Sequence, residues 1–152
     1  MSDSALLAAL SQHEVVRGLS PAHLAVLASG ARPVHFAPGE YLGRESEPAD
    51  VFYLIQSGQV TLGIPTPDRG VVVVQTVGPR QALGWSWLVP PHRWRFDCQA
   101  AEAVEALAFD ARWLRQQCEQ DNALGYHLLK QMLSVLANRL SGRRLQLLDL
   151  HR

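Results

Sequence analysis

A chain of 152 residues, 47% hydrophobic and 18% charged, has the length and composition of one folded core; this argues against a disordered chain and leaves little length for a second full module. Fourteen basic and fourteen acidic side chains leave no net charge, which argues against a protein that coats nucleic acid through basic excess. The balance is uneven, because residues 1–110 carry seven basic and eleven acidic groups (−4) and residues 111–152 carry seven and three (+4).

Residues 4–30 read as helical, with a break at Gly18. Ser20 is placed to cap a second helix with Pro21 at its first position. Leu24, Val26 and Leu27 supply its apolar face, and Gly30 ends it. From Ala31 to Leu107 the period falls to two. The runs VHFAPGEYLG, DVFYLIQSGQVTLGI, GVVVVQTVG and AVEALAF are rich in β-branched and aromatic residues. Gly and Pro separate them at intervals of about 8–12 residues, the pattern of an antiparallel sandwich or barrel. Residues 65–70, Pro-Thr-Pro-Asp-Arg-Gly, read as a hairpin tip.

After Phe109 the helical period returns. Asp110 is placed to cap a short helix, ARWLRQQCEQ, and a longer helix is expected from about Asn122 to Leu140. It carries two apolar stripes. Leu124, Leu128, Met132 and Val135 form one, which suffices to pack the helix on the rest of the chain. Leu129, Leu133, Leu136 and Leu140 form the other, at the alternating four and three spacing of a coiled-coil seam. The second stripe predicts a homodimer, the alternative being one wide stripe buried within the same chain. Gly142, Arg143 and Arg144 are expected to interrupt the seam before LQLLDL resumes it.

Several function classes lack support. No run approaches the ~20 apolar residues of a membrane span, and the opening MSDSALLAALSQHE has neither the basic region nor the apolar core of a signal peptide. A cytoplasmic protein with no membrane contact is therefore expected, with Cys98 and Cys118 as reduced, buried thiols. The six histidines show no metal-ligand spacing, so no metal is expected. Glu40, Glu45, Glu47 and Asp50 read as a solvated acidic loop, and Ser57 and Ser86 lack a nucleophile elbow. No catalytic residue is assigned, and an enzyme is not expected.

One helical segment, about eight strands and two closing helices resemble the cyclic nucleotide-binding domain family. Residues 37–42, APGEYL, are similar to its early strand and turn, and residues 47–60, EPADVFYLIQSGQV, to its most recognisable segment. Val77-Gly78-Pro79 followed by Leu83-Gly84 resembles the approach to its phosphate-binding cassette. The resemblance covers almost the whole chain. It implies a mainly β fold with flanking α: a jelly-roll-like β-roll (double-stranded β-helix) over 31–109, N-terminal helices over 1–30 and C-terminal helices over 110–152. Regulators related to the catabolite activator protein continue from their long helix into a helix-turn-helix. About 12 residues follow Leu140 here, so no such domain is expected and nucleic-acid binding is not expected. The basic side chains Lys130, Arg139, Arg143 and Arg144 read as cations favoured near a helix C-terminus.

The family's cassette uses a Gly-Glu pair, a small residue and Leu, then a variable loop, then Arg. The Glu holds the ribose hydroxyl, and the Arg and helix N-terminal amides hold the cyclic phosphate. Here Gly84 and Leu88 match, whereas Trp85 stands at the Glu position and Trp87 at the small one, with Ser86 between them. Counting back from Ala100 places Trp94 at the Arg position, flanked by Arg93 and Arg95. A shift of one residue along a strand reverses the side chain's direction, so neither Arg takes the role unless Pro90-Pro91 resets the register. Three readings stay open: a pocket filled by its own tryptophans, a pocket altered for another planar or anionic ligand, and a site for cyclic AMP or GMP. The expected role is a stand-alone sensory or regulatory module, without a tightly held cofactor, that acts through dimerisation and an unidentified protein partner.

Overall fold

The computed structural model describes residues 2–150, the side chains of Leu140 and 142–150 excepted. Ser2 accepts from the Ala5 amide to start α1 (Asp3–Leu10). A single 3-10 turn at Glu14–Val16 follows, then α2 (Pro21–Gly30), capped by the Ser20 hydroxyl as its sequence predicts. Eight strands come next: β1 (Arg32–Phe36), β2 (Tyr41–Gly43), β3 (Val51–Ser57), β4 (Val60–Thr66), β5 (Gly70–Val77), β6 (Ala82–Leu83), β7 (Asp97–Ala100) and β8 (Val104–Asp110). They form two four-stranded antiparallel sheets, ordered β1-β8-β3-β6 and β2-β7-β4-β5. Pro67, Asp68 and Arg69 form the tip of the β4–β5 hairpin, as read from the sequence. Asp110 Oδ1 accepts from the Trp113 amide at 2.8 Å and caps α3 (Ala111–Gln120). α4 (Asn122–Leu150) closes the described chain.

Two cores form, and β3 and β8 divide them. Strand side chains alternate between faces. Phe52 and Leu54 of β3, with Leu107 and Phe109 of β8, face the helices. Tyr53 and Ile55, with Val104, Ala106 and Ala108, face the interior of the roll. Burial on both faces is why β3 reads as an unbroken apolar run instead of an alternating one. Leu10, Val15, Val16 and Leu27 from the N-terminal helices meet Leu114, Leu124, Leu128 and Met132 in the helix-side core. The stripe from Leu124 to Met132 is thus the packing face of α4, while Leu129 and Leu133 of the second stripe are 52% and 66% exposed.

Three details depart from the sequence expectations. α4 does not stop near Leu140 but runs on through Gly142 to Leu150. One glycine inside a helix costs about 1 kcal/mol, which strong helix formers on either side outweigh. Arg139 therefore lies a full eleven residues before the helix end. Instead of serving the helix terminus, it donates from Nη2 to the Ala82 carbonyl at 3.1 Å and lies 3.9 Å from Glu14. Cys98 is buried, whereas Cys118 is only partly covered. No helix among the described residues is long and apolar enough to cross a membrane.

His13, 1% exposed, joins the N-terminal turn to the roll. Its Nε2–H donates to Gln56 Oε1 at 2.5 Å, and Nδ1 has no partner among the described residues. Burial holds its pKa below the usual 6.5; the bond to Gln56 opposes this and the nearby Arg80 charge reinforces it. The neutral ring is the native form. Because the folded pKa is the lower one, the unfolded chain binds more protons below pH 6.5. The stability contributed by neutral His13 is whole above that pH and drains away as pH falls toward the folded value. Urea midpoints measured from neutral pH downward should fall in this window for the parent chain and less steeply for His13→Gln. Parallel curves for the two would show that another group controls the acid limb.

Candidate functional site

The cassette runs from Gly84 to Arg95, between β6 and β7, and its tryptophans divide between the two cores. Trp87 is 2% exposed, belongs to the helix-side core, and its ring centroid lies 5.1 Å from that of Phe52. Arg115 of α3 reaches beneath it and donates to its carbonyl. Ser86 is buried, Leu88 partly so. Trp94, 7% exposed, belongs to the roll interior. Its indole stacks on Tyr53 at a centroid distance of 6.4 Å and an interplanar angle of 22°. Gly43 is required beneath it, because a Cβ there would come within 2.3 Å of Trp94 Cε2.

Backbone pairing fixes which residue of Arg93-Trp94-Arg95 turns inward. The Trp94 amide donates to the Glu47 carbonyl at 2.9 Å, and the Ser46 amide donates to the Trp94 carbonyl at 2.8 Å. Arg93 pairs with Pro48, and the Ala49 amide donates to the His92 carbonyl. With Trp94 facing in, its neighbours face out. Arg93 donates from Nη1 to the Ser46 carbonyl at 2.7 Å, and the Arg95 guanidinium lies 4.6 Å above the half-buried Trp85 ring. Both arginines are exposed.

Two openings flank the cassette. At the mouth of the roll, a pocket of about 290 Å³ is bordered by Trp94, Tyr53, Tyr41, Arg44, Glu47 and Asp50. Its rim mixes both charge signs, and the Arg44 guanidinium already lies 4.2 Å above the Tyr41 ring. On the opposite side, a cleft of about 520 Å³ separates the cassette from α3 and α4. Trp87 and Leu88 form one wall, Arg115 and Cys118 the second, and Tyr126 and Met132 the third. Sequence reasoning missed Arg115, Cys118 and Tyr126, because no local pattern marks residues that meet the cassette only after the helices fold back on it. Burial pushes the Cys98 thiol up to about 12, aided by the Asp97 charge, and raises the Cys118 thiol as well. Both thiols are held in the unreactive protonated form. Among the described residues no group of three or more His, Cys, Asp or Glu is placed to hold a metal ion.

Two sheets closed into a roll, a cassette between β6 and β7, and a long helix after β8 define a class. Residues 33–121 match the model of the cyclic nucleotide-binding domain, and the chain belongs to that family. Over 141 residues it is 28% identical to the CRP-like cAMP-activated global transcriptional regulator of Mycobacterium tuberculosis, an alignment covering 93% of this chain and 61% of that protein. The chain thus spans about three fifths of the length of the curated relatives it matches. A putative cyclic nucleotide-binding protein of Geobacter metallireducens GS-15 shares the fold at a TM-score of 0.78 and 23% identity, covering 92% of this chain and 98% of that one. A cyclic nucleotide-binding domain from Methylobacillus flagellatus KT does so at 0.79 and 19%, covering 97% and 83%.

Proposed function

We propose that the chain is a regulatory binding module of its family, not an enzyme, in which a tryptophan-rich pocket stands in place of the cyclic phosphate site. The supporting observation is Trp94. It occupies the roll interior where the resemblance calls for an arginine, and Arg93 and Arg95 lie outside. An indole supplies one N–H donor and no charge, so it does not replace a guanidinium against a cyclic phosphate. Trp85 likewise offers no acceptor for a ribose hydroxyl. Calorimetric titration of the full chain with cyclic AMP and cyclic GMP should give no saturable heat up to millimolar nucleotide. Saturable binding at micromolar nucleotide would overturn the reading. It would favour the second one, a cyclic nucleotide receptor, for which the printed name of the mycobacterial relative, a cAMP-activated regulator, speaks.

The module acts as a homodimer through α4 and passes its signal to a partner protein. Support for the dimer lies in Leu129 and Leu133, 52% and 66% exposed at seam spacing on a helix that buries Leu124, Leu128 and Met132 of its other stripe. Two large apolar side chains in a row on one exposed helix face gain from a facing helix. Light scattering should give twice the 16.8 kDa of the chain, and Leu133→Arg should return the monomer mass without loss of helicity. A parent chain that stays monomeric at high concentration would remove the seam from consideration.

A further inference from the structure

The 520 Å³ cleft lies outside the roll, on the far side of the cassette from Trp94, and its volume falls in the range of small-molecule sites. Its lining is mostly apolar: Trp87 and Leu88 from the cassette, Leu128 and Met132 from α4. His92, Arg115, Glu119 and Asn122 interrupt that surface. Arg115 spends one N–H on the Trp87 carbonyl, and among the described residues no carboxylate lies within 4.0 Å of its guanidinium, although Glu119, one turn further along α3, lines the same cleft. Trp87, 2% exposed, keeps its indole N–H buried behind this wall, with no acceptor among the described residues. A buried donor left unpaired costs about 1–3 kcal/mol. A partly buried guanidinium with free donors beside apolar walls favours a carboxylate, which takes two parallel hydrogen bonds from its fork.

We infer that this cleft binds a small amphipathic carboxylate, its planar apolar body against Leu88 and Tyr126, next to Trp87, and its carboxylate on Arg115. The occupant touches the cassette, α3 and α4 together. It therefore binds one relative arrangement of these elements better than another and shifts their equilibrium accordingly. This regulatory consequence rests on the module proposed above; the binding site itself does not.

The four indole N–H signals of the ¹⁵N-labelled full chain, assigned by single Trp→Phe variants, provide the test. The probes are 2-naphthoate and its uncharged counterpart 2-naphthamide. Naphthoate should shift the Trp87 indole signal saturably and leave that of Trp94 in place, with naphthamide at least tenfold weaker. Arg115→Gln should reduce naphthoate to the level of the amide. If the spectrum of Arg115→Gln loses its dispersion, Arg115→Lys, which keeps the charge and loses the fork, should weaken naphthoate severalfold. Absence of a saturable Trp87 shift, a shift at Trp94 instead, or naphthoate affinity unchanged by a folded Arg115 variant would overturn the assignment. Cyclic AMP moving the Trp94 signal would overturn the altered roll and leave the cleft standing, so the two failures are distinguishable.

Discussion

Trp94→Ala should lower stability by about 3–5 kcal/mol, the range for removing a fully buried tryptophan from a core. For a chain of this length the thermal midpoint should fall on the order of 10 °C. The reason is local. The indole lies at the mouth-side end of the roll, stacked on Tyr53 and seated on Gly43. Trp85→Ala is the internal comparison. Its ring is half-buried at the edge of the helix-side core, with the exposed Arg95 guanidinium above it, a contact of about 0.5–1 kcal/mol. A Trp94→Ala loss no larger than that of Trp85→Ala, measured by thermal circular dichroism, would show that the packing of Trp94 does not stabilise the roll. The vacated volume should not admit cyclic AMP, because the pairing of residues 93–94 with 46–49 still turns both arginines outward.

Gly58→Ala should destabilise the fold by more than about 3 kcal/mol, from positive-φ strain and a backbone collision together. Gly58 joins β3 to β4 at φ +89, and a Cβ there would sit 2.2 Å from the Ala103 carbonyl and 3.0 Å from Val104 Cα. Backbone atoms at the entry to a central strand cannot swing aside as a flexible side chain does. Gly39, at φ +90 with nothing within 4 Å of its added Cβ, isolates the first contribution. Gly39→Ala should cost only the left-handed strain, about 1–2 kcal/mol. Equal losses for the two variants in urea denaturation would mean that the Ala103 contact carries no weight.

Much of the fold is legible in the chain because its signals are local. The caps at Ser20 and Asp110 are side chain to amide bonds three residues long, and the hairpin at 65–70 is built by its own turn residues. The buried stripe of α4 follows from helical spacing alone. Where α4 ends was less legible, because Gly142 costs the helix too little to stop it. The family resemblance marked the cassette as a set of residues, Gly84 to Arg95, and the structure turns Trp94 of that set inward. What each residue does there was not legible in the same way.

Composition, period and turn chemistry determined by themselves an antiparallel β sandwich or barrel between flanking helices, and the family resemblance of its motifs implied the β-roll and the tryptophan-rich cassette. The tertiary structure decided how those tryptophans are used. Trp87 lies in the helix-side core and Trp94 in the roll, because β3 and β8 present opposite faces to two cores. Trp94 rather than either arginine faces inward, because the segment pairs with residues 46–49, nearly fifty positions earlier. The cleft beside Arg115 exists only once α3 and α4 return to the cassette. Each of these depends on partners far apart in the chain, and a linear pattern carries no record of which distant segment a side chain will meet.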